Sequence, residues 1–395
     1  MLVNKIKIVL LVCYFSSLQS FFEYYYLQKN SEKLLIISDV HIHSSLIRQT
    51  GQKMLDGIFQ DIENKNLPKI KFMYEVSKAY FEEYKIRGIS FLAGDPRGVD
   101  PLIKMFLDYN IKFKNSNFPI DFQAADPRIS SLKRLTAYFI NLGQLLKKLN
   151  RENIQDFKNS SEFKSFKEKY SGKLFVTFSQ YNNFLDIFYN QLKSIADRTK
   201  QSPLYIVIEE QFKNYENAFK KIKKYYSTIL TDFNENSSLA ELITKLIEQE
   251  NTTKDATQKY KYFYNLMIKP VNKFYADTRY FIEIINNFES RYKNICLYIG
   301  LNHARHLVQM FIKYGFKGLK TVNPYFDQKL KIEIIPQNFD QKLFDEYFEN
   351  LKKTFYRLFE NETAKESTKK ANEKPKRPNL KVQEKWKLYK KISFF

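Results

Sequence analysis

ICLYIGLNHARHLVQMFIKYGF, residues 295–316, holds an apolar run, a glycine, two histidines and an apolar stripe in that order. Ile295–Ile299 is a continuous apolar segment of strand length, which predicts a strand buried on both faces, and Gly300 ends it. Asn302 is placed to cap a following helix. Ala304, Leu307, Val308 and Phe311 recur at helical spacing and give that helix an inward face, and Gly315 stops it. A buried strand that feeds a helix in this way is a unit of a parallel sheet.

The same grammar recurs near the start of the chain. Leu34–Ser38 is a short apolar run, and Ser44 and Ser45 can cap a helix whose apolar positions are Ile47, Met54, Leu55, Ile58 and Ile62. Pro68 breaks that helix. Ile70, Phe72 and Tyr74 alternate with Lys71 and Met73 in a second strand that ends at Glu75. Ile89–Ala93 and Ile120–Ala124 are read as further strands, with Leu319–Val322 and Lys331–Ile335 as final ones. The expectation is an α/β fold: a mainly parallel central sheet flanked by helices, with a large helical insertion. Residues 33–128 and 291–360 form the two parts of the core, and 129–290 form the insertion or cap. Within it Leu132, Leu135, Phe139, Leu142, Leu146 and Leu149 make one stripe. Leu174–Phe178 and Leu204–Ile208 could be strands or helix segments. Charged helices run from about Glu209 to Phe288, with breaks near Asn234–Ser238 and Asn251–Thr253.

The ends differ in kind. Lys5 and Lys7 precede an apolar run from Ile8 to Phe15, too short to span a bilayer and suited to the core of a signal peptide. Residues 1–22 are therefore read as a signal peptide or an uncleaved anchor, and the protein as secreted, periplasmic or membrane-anchored. Of two cysteines, Cys13 lies in that segment, so Cys296 is left alone, without a disulfide partner and without a Cys-based zinc site. Residues 361–395 are polar and Lys-rich, with Pro375 and Pro378, and read as a disordered basic tail. The net charge of +22 could favour an acidic membrane surface, reached through the anchor and the tail. Nucleic acid is not expected as a partner, because acidic residues are interleaved through most of the chain and the excess of Lys, Asn, Ile, Phe and Tyr matches an AT-rich coding bias.

All four histidines fall in two motifs, Asp39-Val40-His41-Ile42-His43 and Gly300-Leu301-Asn302-His303-Ala304-Arg305-His306. Each directly follows a predicted strand, and ligands of open α/β sheets bind outside the carboxyl ends of strands. His303 begins a helix on its inward stripe and is the leading candidate. His306 shares a stripe with Gln309 and Lys313, nearer solvent, and is read as supporting. Asp39 and His41 alternate about Val40, which suits either a shared metal ion or an acid–base pair. His43 is a supporting partner, and Glu75 ends the neighbouring strand. Asp95-Pro96-Arg97 and Asp126-Pro127-Arg128 also follow strands. Arg97 and Arg128 are candidates to hold an anionic substrate group, with Asp95 and Asp126 beside them. Asp-Pro is equally a common turn opening.

This ordered set resembles the erythromycin-esterase-like, ChaN-like and TraB/TIKI superfamily. The resemblance rests on Gly300-x-x-His303, Asp39-x-His41 and Glu75, and on YADTRYFIEIINNF (275–288), which is similar to an Asp-bearing helix and points to Asp277 and Arg279. It covers roughly 33–128 and 270–320. Where the family commonly has Gly-Glu at its first motif, this chain has Ser38-Asp39. The resemblance implies a hydrolase-like or metal-binding site, with His303, His41, Asp39 and Glu75 as the catalytic set. Asp39, His41, His303 and Asp277 would be the ligands of a divalent metal of unspecified identity. The implied reaction is attack of activated water on an ester or amide in a small molecule or peptide. A non-catalytic binder of a metal or metal cofactor is the alternative. A further one is a calcineurin-like metallophosphoesterase, suggested by Ser38-Asp39-Val40-His41 and Ala93-Gly94-Asp95. That family's Gly-Asn-His and Gly-His-x-His are missing here, and residues 129–299 contain no histidine.

Overall fold

The computed structural model describes residues 23–39, 46–63, 65–87, 101–114, 116–128, 130–148, 154–170, 176–229, 236–322, 326–327, 332–333 and 341–360. The presumed leader, His41, His43, the predicted strand 89–93, Asp95, Arg97 and the basic tail lie outside them.

Six strands form the main sheet: β1 (Glu23–Lys29), β2 (Glu32–Asp39), β3 (Ile70–Tyr74), β4 (Ile120–Ala124), β5 (Asn294–Gly300) and β6 (Lys317–Val322), in the order β4-β3-β5-β2-β1-β6. The four strands β4, β3, β5 and β2 run parallel, and β1 is antiparallel to both β2 and β6. The composition of each strand follows its place. In β5 every residue is buried, while β4 at the edge alternates buried and half-buried positions. β1 had no clear signal, because Glu23-Tyr-Tyr-Tyr-Leu-Gln-Lys29 is neither apolar nor cleanly alternating. It is joined to β2 by a two-residue turn. Asn30 takes φ 54° there, a left-handed conformation that asparagine tolerates better than most residues.

Alternate strand residues feed the two faces. Leu35, Ile37, Phe72, Tyr74, Cys296 and Tyr298 pack under α1 (Leu46–Ile62), α3 (Pro101–Lys112) and the last helix, Gln341–Tyr356; α2 (Lys78–Arg87) joins the same cluster through Phe81 and Tyr84. Leu34, Ile36, Met73, Ile295, Leu297 and Ile299 pack on the other face. Fully burying an aliphatic side chain of this size stabilises by about 1.5–3 kcal/mol, so both faces of the sheet contribute strongly to its cohesion.

Residues 130–290 are mainly helical where described: α4 (Ser130–Lys148), α5 (Ile154–Asn159), α6 (Ser161–Tyr170), α7 (Phe178–Thr199), α8 (Tyr205–Ile229), α9 (Leu239–Glu248), α10 (Thr253–Phe263) and α11 (Asp277–Ser290). The stripe lies in their shared core from Leu132 to Leu146, and Leu149 is outside the described residues. Leu204–Ile208 proves to be the start of α8, not a strand. Thr177 forms an isolated bridge to Ser238 and caps α7, accepting from the Gln180 N–H at 3.2 Å. Between α10 and α11 the chain stays helical but widens into two π-helical stretches, Tyr264–Ile268 and Pro270–Ala276. Pro270 has no N–H to give to an ordinary helical bond.

After β5 the chain enters α12 (Leu301–Lys313). Its cap is Gly300, with Asn302 already inside the helix, so the expected Asn302 cap is moved by two residues. Gly315 follows the helix at φ 104°, as a left-handed terminator. The expected strand Lys331–Ile335 is reduced, among the described residues, to β8 (Ile332–Glu333). It pairs with β7 (Phe326–Asp327) outside the main sheet. The last helix, α13 (Gln341–Tyr356), ends in a 3-10 turn at Arg357–Phe359.

Candidate functional site

Parallel strands deliver their carboxyl ends to one edge. In the register of the sheet Tyr74 lies opposite both Ala124 and Tyr298, and Asp39 lies opposite Gly300. Glu75 follows β3, Asp126 and Arg128 follow β4, and His303 follows β5 by one helical turn. The exits of β3 and β4 are tied beyond the sheet by Ala125 N–H to Tyr74 O and Asp126 N–H to Val76 O, both 3.0 Å. The backbone of Asp39 shares this edge. His41 and His43 are two and four residues further along the chain, outside the described residues.

At the centre of the cluster is Arg128, 5% exposed. All five of its N–H donors are engaged. Nε donates to Asp126 Oδ1 at 3.0 Å, and Nη2 donates to Asp126 Oδ2 at 2.9 Å and to Glu75 Oε1. Nη1 donates to Asn272 Oδ1 at 3.1 Å and lies 3.2 Å from His303 Nε2. The second oxygen of Glu75 accepts the Gly300 N–H at 2.6 Å, which pins the end of β5 to the end of β3. Burial opposes the charge on Arg128. The carboxylates of Asp126 and Glu75 outweigh it and hold the guanidinium protonated.

Asp277, at the first turn of α11, faces this group from the helical layer and bonds two imidazoles. Oδ1 meets His303 Nδ1, and Oδ2 meets His306 Nδ1 at 2.7 Å. The two histidines are three residues apart on α12 and so share a face. His306 is therefore buried, 7% exposed, rather than near solvent as its stripe suggested. A guanidinium only donates, so Nε2 of His303 accepts from Arg128 and the ring proton sits on Nδ1, toward Asp277. Burial works against protonation of His303 and Arg128 adds to that, but Asp277 and Glu75 leave its pKa above the ordinary histidine value. If Nε2 takes a proton, its bond to Arg128 is lost and Glu75 Oε1, 3.8 Å away, is the acceptor at hand.

Asn272 was missed by sequence reasoning. It lies five residues before Asp277, which on an α-helix would put the two on different faces. The π-helical stretch repeats every i→i+5, so both reach the cluster. Arg279, suggested together with Asp277, is half-buried on α11.

The described donors do not suit a divalent ion. Both oxygens of Asp277 go to imidazole nitrogens, both oxygens of Glu75 to N–H donors, and the positive charge among the carboxylates is Arg128. Among the described residues no group of three or more His, Cys, Asp or Glu side chains converges as a metal site. Two surface hollows, lined by Glu63, Phe113 and Phe118 and by Glu209, Lys213 and Lys313, lie apart from the cluster and carry none of its residues. No family model, curated protein or solved structure matches the chain.

Proposed function

We propose that this cluster is the acid–base site of a hydrolase acting on an ester or amide. One observation carries the reading. Asp277 fixes Nδ1 of His303, which turns the basic Nε2 toward the sheet edge beside Arg128 and Glu75. A carboxylate-oriented imidazole of this kind serves as a general base. Water displaces the Arg128 N–H from Nε2 of neutral His303 and gives up a proton to it, the hydroxyl oxygen adds to the carbonyl carbon, and the imidazolium later returns the proton to the leaving group. Asp277 stabilises that imidazolium, and Glu75 is placed to receive its new N–H. Arg128 holds the carboxylates of Asp126 and Glu75 close together. Asp39 and His41 belong to the same proposal on sequence grounds and would act at this edge. Residues 1–22 favour action outside the cytoplasm or at a membrane. No described helix is long and apolar enough to cross a membrane.

The test is turnover by the purified protein on a panel of chromogenic esters and amides, with elemental analysis of the same sample. A loss of about 10²–10⁴-fold is expected for His303→Ala with the fold retained, and a comparable loss for Asp277→Asn, which removes the anion that orients the ring. Turnover that survives His303→Ala would falsify the assignment. Stoichiometric metal without turnover would favour the alternative of a non-catalytic metal binder.

A further inference from the structure

Tyr280 follows Asp277 by three residues on α11, so the two share a helical face. The side chain is wholly buried, and its hydroxyl has no hydrogen-bond partner. Its ring centre stands 6.2 Å from that of His303. The charges that act on the phenol are those of the cluster: Asp126, Glu75, Arg128 and Asp277.

Leaving a buried hydroxyl unpaired is costly, and phenylalanine would fill the same space without that cost. The other buried tyrosines show how the core ordinarily deals with this group. Tyr138 bonds Ala240 O at 3.0 Å, Tyr181 bonds Met267 O at 2.6 Å, Tyr215 bonds Leu185 O at 3.2 Å, and Tyr74 accepts from Asn110 at 2.8 Å. Among the described residues no other buried tyrosine hydroxyl is left over. The exception stands next to the imidazole of His303, which is bonded to both Asp277 and Arg128. An unpaired buried polar group at such a place calls for a partner that binds there.

We propose that Tyr280 is a further catalytic residue, whose O–H donates to the carbonyl oxygen of the substrate. The proposal rests on the hydrolytic reading of the cluster. As His303 Nε2 takes the proton of water, the new carbon–oxygen bond forms and the carbonyl π pair moves onto the oxygen facing Tyr280. When the tetrahedral species collapses, that pair re-forms the C=O bond, the bond to the leaving oxygen or nitrogen breaks, and the proton on His303 passes to the leaving group. The phenol keeps its own proton throughout, because burial together with Asp126 and Glu75 pushes its ionisation far up. Its hydrogen bond is strongest when the substrate oxygen is most negative, which lowers the barrier and not only the binding energy.

Tyr280→Phe removes one oxygen atom and keeps the packing. Thermal unfolding of the variant should match or exceed that of the wild type. On whichever ester the wild type hydrolyses, kcat should fall by about 10²–10³-fold, as for loss of one oxyanion donor, with little change in KM. A tetrahedral monoanion, monomethyl butylphosphonate, titrated calorimetrically, should bind the variant more weakly by a similar factor. Wild-type turnover that is intact in Tyr280→Phe overturns the proposal and leaves the hydrolytic reading standing. Absence of wild-type turnover, with phosphonate binding that is weakened by Tyr280→Phe, overturns the hydrolytic reading but keeps the donor role. Neither turnover nor phosphonate binding in the wild type overturns both.

Discussion

Glu23 is wholly buried at the start of β1 and is bound by three side chains. Arg305 of α12 reaches it through Nη2 at 2.5 Å and Nε at 3.1 Å, Lys320 of β6 through Nζ at 2.9 Å, and Tyr25 through its hydroxyl. Burial alone would raise the pKa of this carboxyl, but Arg305, Tyr25 and Lys320 together hold it below its ordinary value of 4.5. A carboxyl depressed in the fold adds stability above its unfolded pKa, and that stability is lost as pH falls through the folded one. Glu23→Gln should therefore lower the unfolding temperature at pH 7, at a cost of about 2 kcal/mol, between an exposed and a fully buried pair. The difference from wild type should shrink below pH 4.5; a constant difference down to pH 3 would show that the charge was not responsible. The shift of His303 has the opposite sign. A general base acts only when neutral, so a pKa raised by Asp277 moves the acid limb of turnover above 6.5. Activity should rise with pH through that limb, and Asp277→Asn should move any residual limb downward. At this scale Glu75 and His303 were candidates because each follows a recognisable strand, whereas Asp277 was suggested only by the likeness of residues 275–288 to an Asp-bearing helix. It did not reveal that Arg128 would spend all its donors on protein groups, since which charges meet is decided by sheet order and not by local pattern.

The elements that were legible are those whose pattern matches their burial. β2 and β5 are buried on both faces and read as apolar runs, while β3, also buried, was read from the alternation of Ile70, Phe72 and Tyr74 with Lys71 and Met73. β4 alternates, as an edge strand does. β1 and the π-helical stretches were not legible. β1 is paired on both sides and sends Tyr24 into one core and Tyr25 and Leu27 into the other, so its burial leaves no clean alternation, and a π turn breaks the helical period on which stripe reading depends. The pairing of β1 with β6 gives a test. A Cβ at Gly318 would lie 2.1 Å from the carbonyl oxygen of Tyr26 and 2.9 Å from Leu27 Cα, both backbone atoms that cannot turn aside. Gly318→Ala should destabilise by about 1–3 kcal/mol, as overpacking does, read as a lower midpoint in urea. It should also release Lys320 from Glu23, so Glu23→Gln should cost less in this background than alone. Strictly additive effects would mean that β6 tolerates the methyl group without moving.

The whole molecule joins two kinds of core. The sheet with its two helical faces is assembled from chain segments on either side of the helical layer, and the candidate site lies where Asp277 and Asn272 of that layer meet Arg128 and His303 of the sheet edge. This meeting could be anticipated only in outline. Helical and strand periods are local, whereas bringing residue 128 to residue 303 depends on β3 and β5 becoming neighbours across most of the chain. The C-terminal limit of the fold is also set by packing and not by composition. α13 closes one face of the sheet, and the 3-10 turn after it still contributes Leu358, fully buried, and Phe359, 7% exposed, while Arg357 O accepts from Lys33 Nζ at 3.2 Å. One compact unit ends at Phe359. A chain stopped after Glu360 keeps these contacts and is the reference. A chain stopped after Tyr356 loses two core side chains, each worth about 2–5 kcal/mol when truncated, and should unfold many degrees lower or fail to accumulate as a folded protein. Equal unfolding temperatures for the two truncated chains would show that the 3-10 turn is not part of the core, and the packing of α13 against α1 and β3 would have to suffice without it.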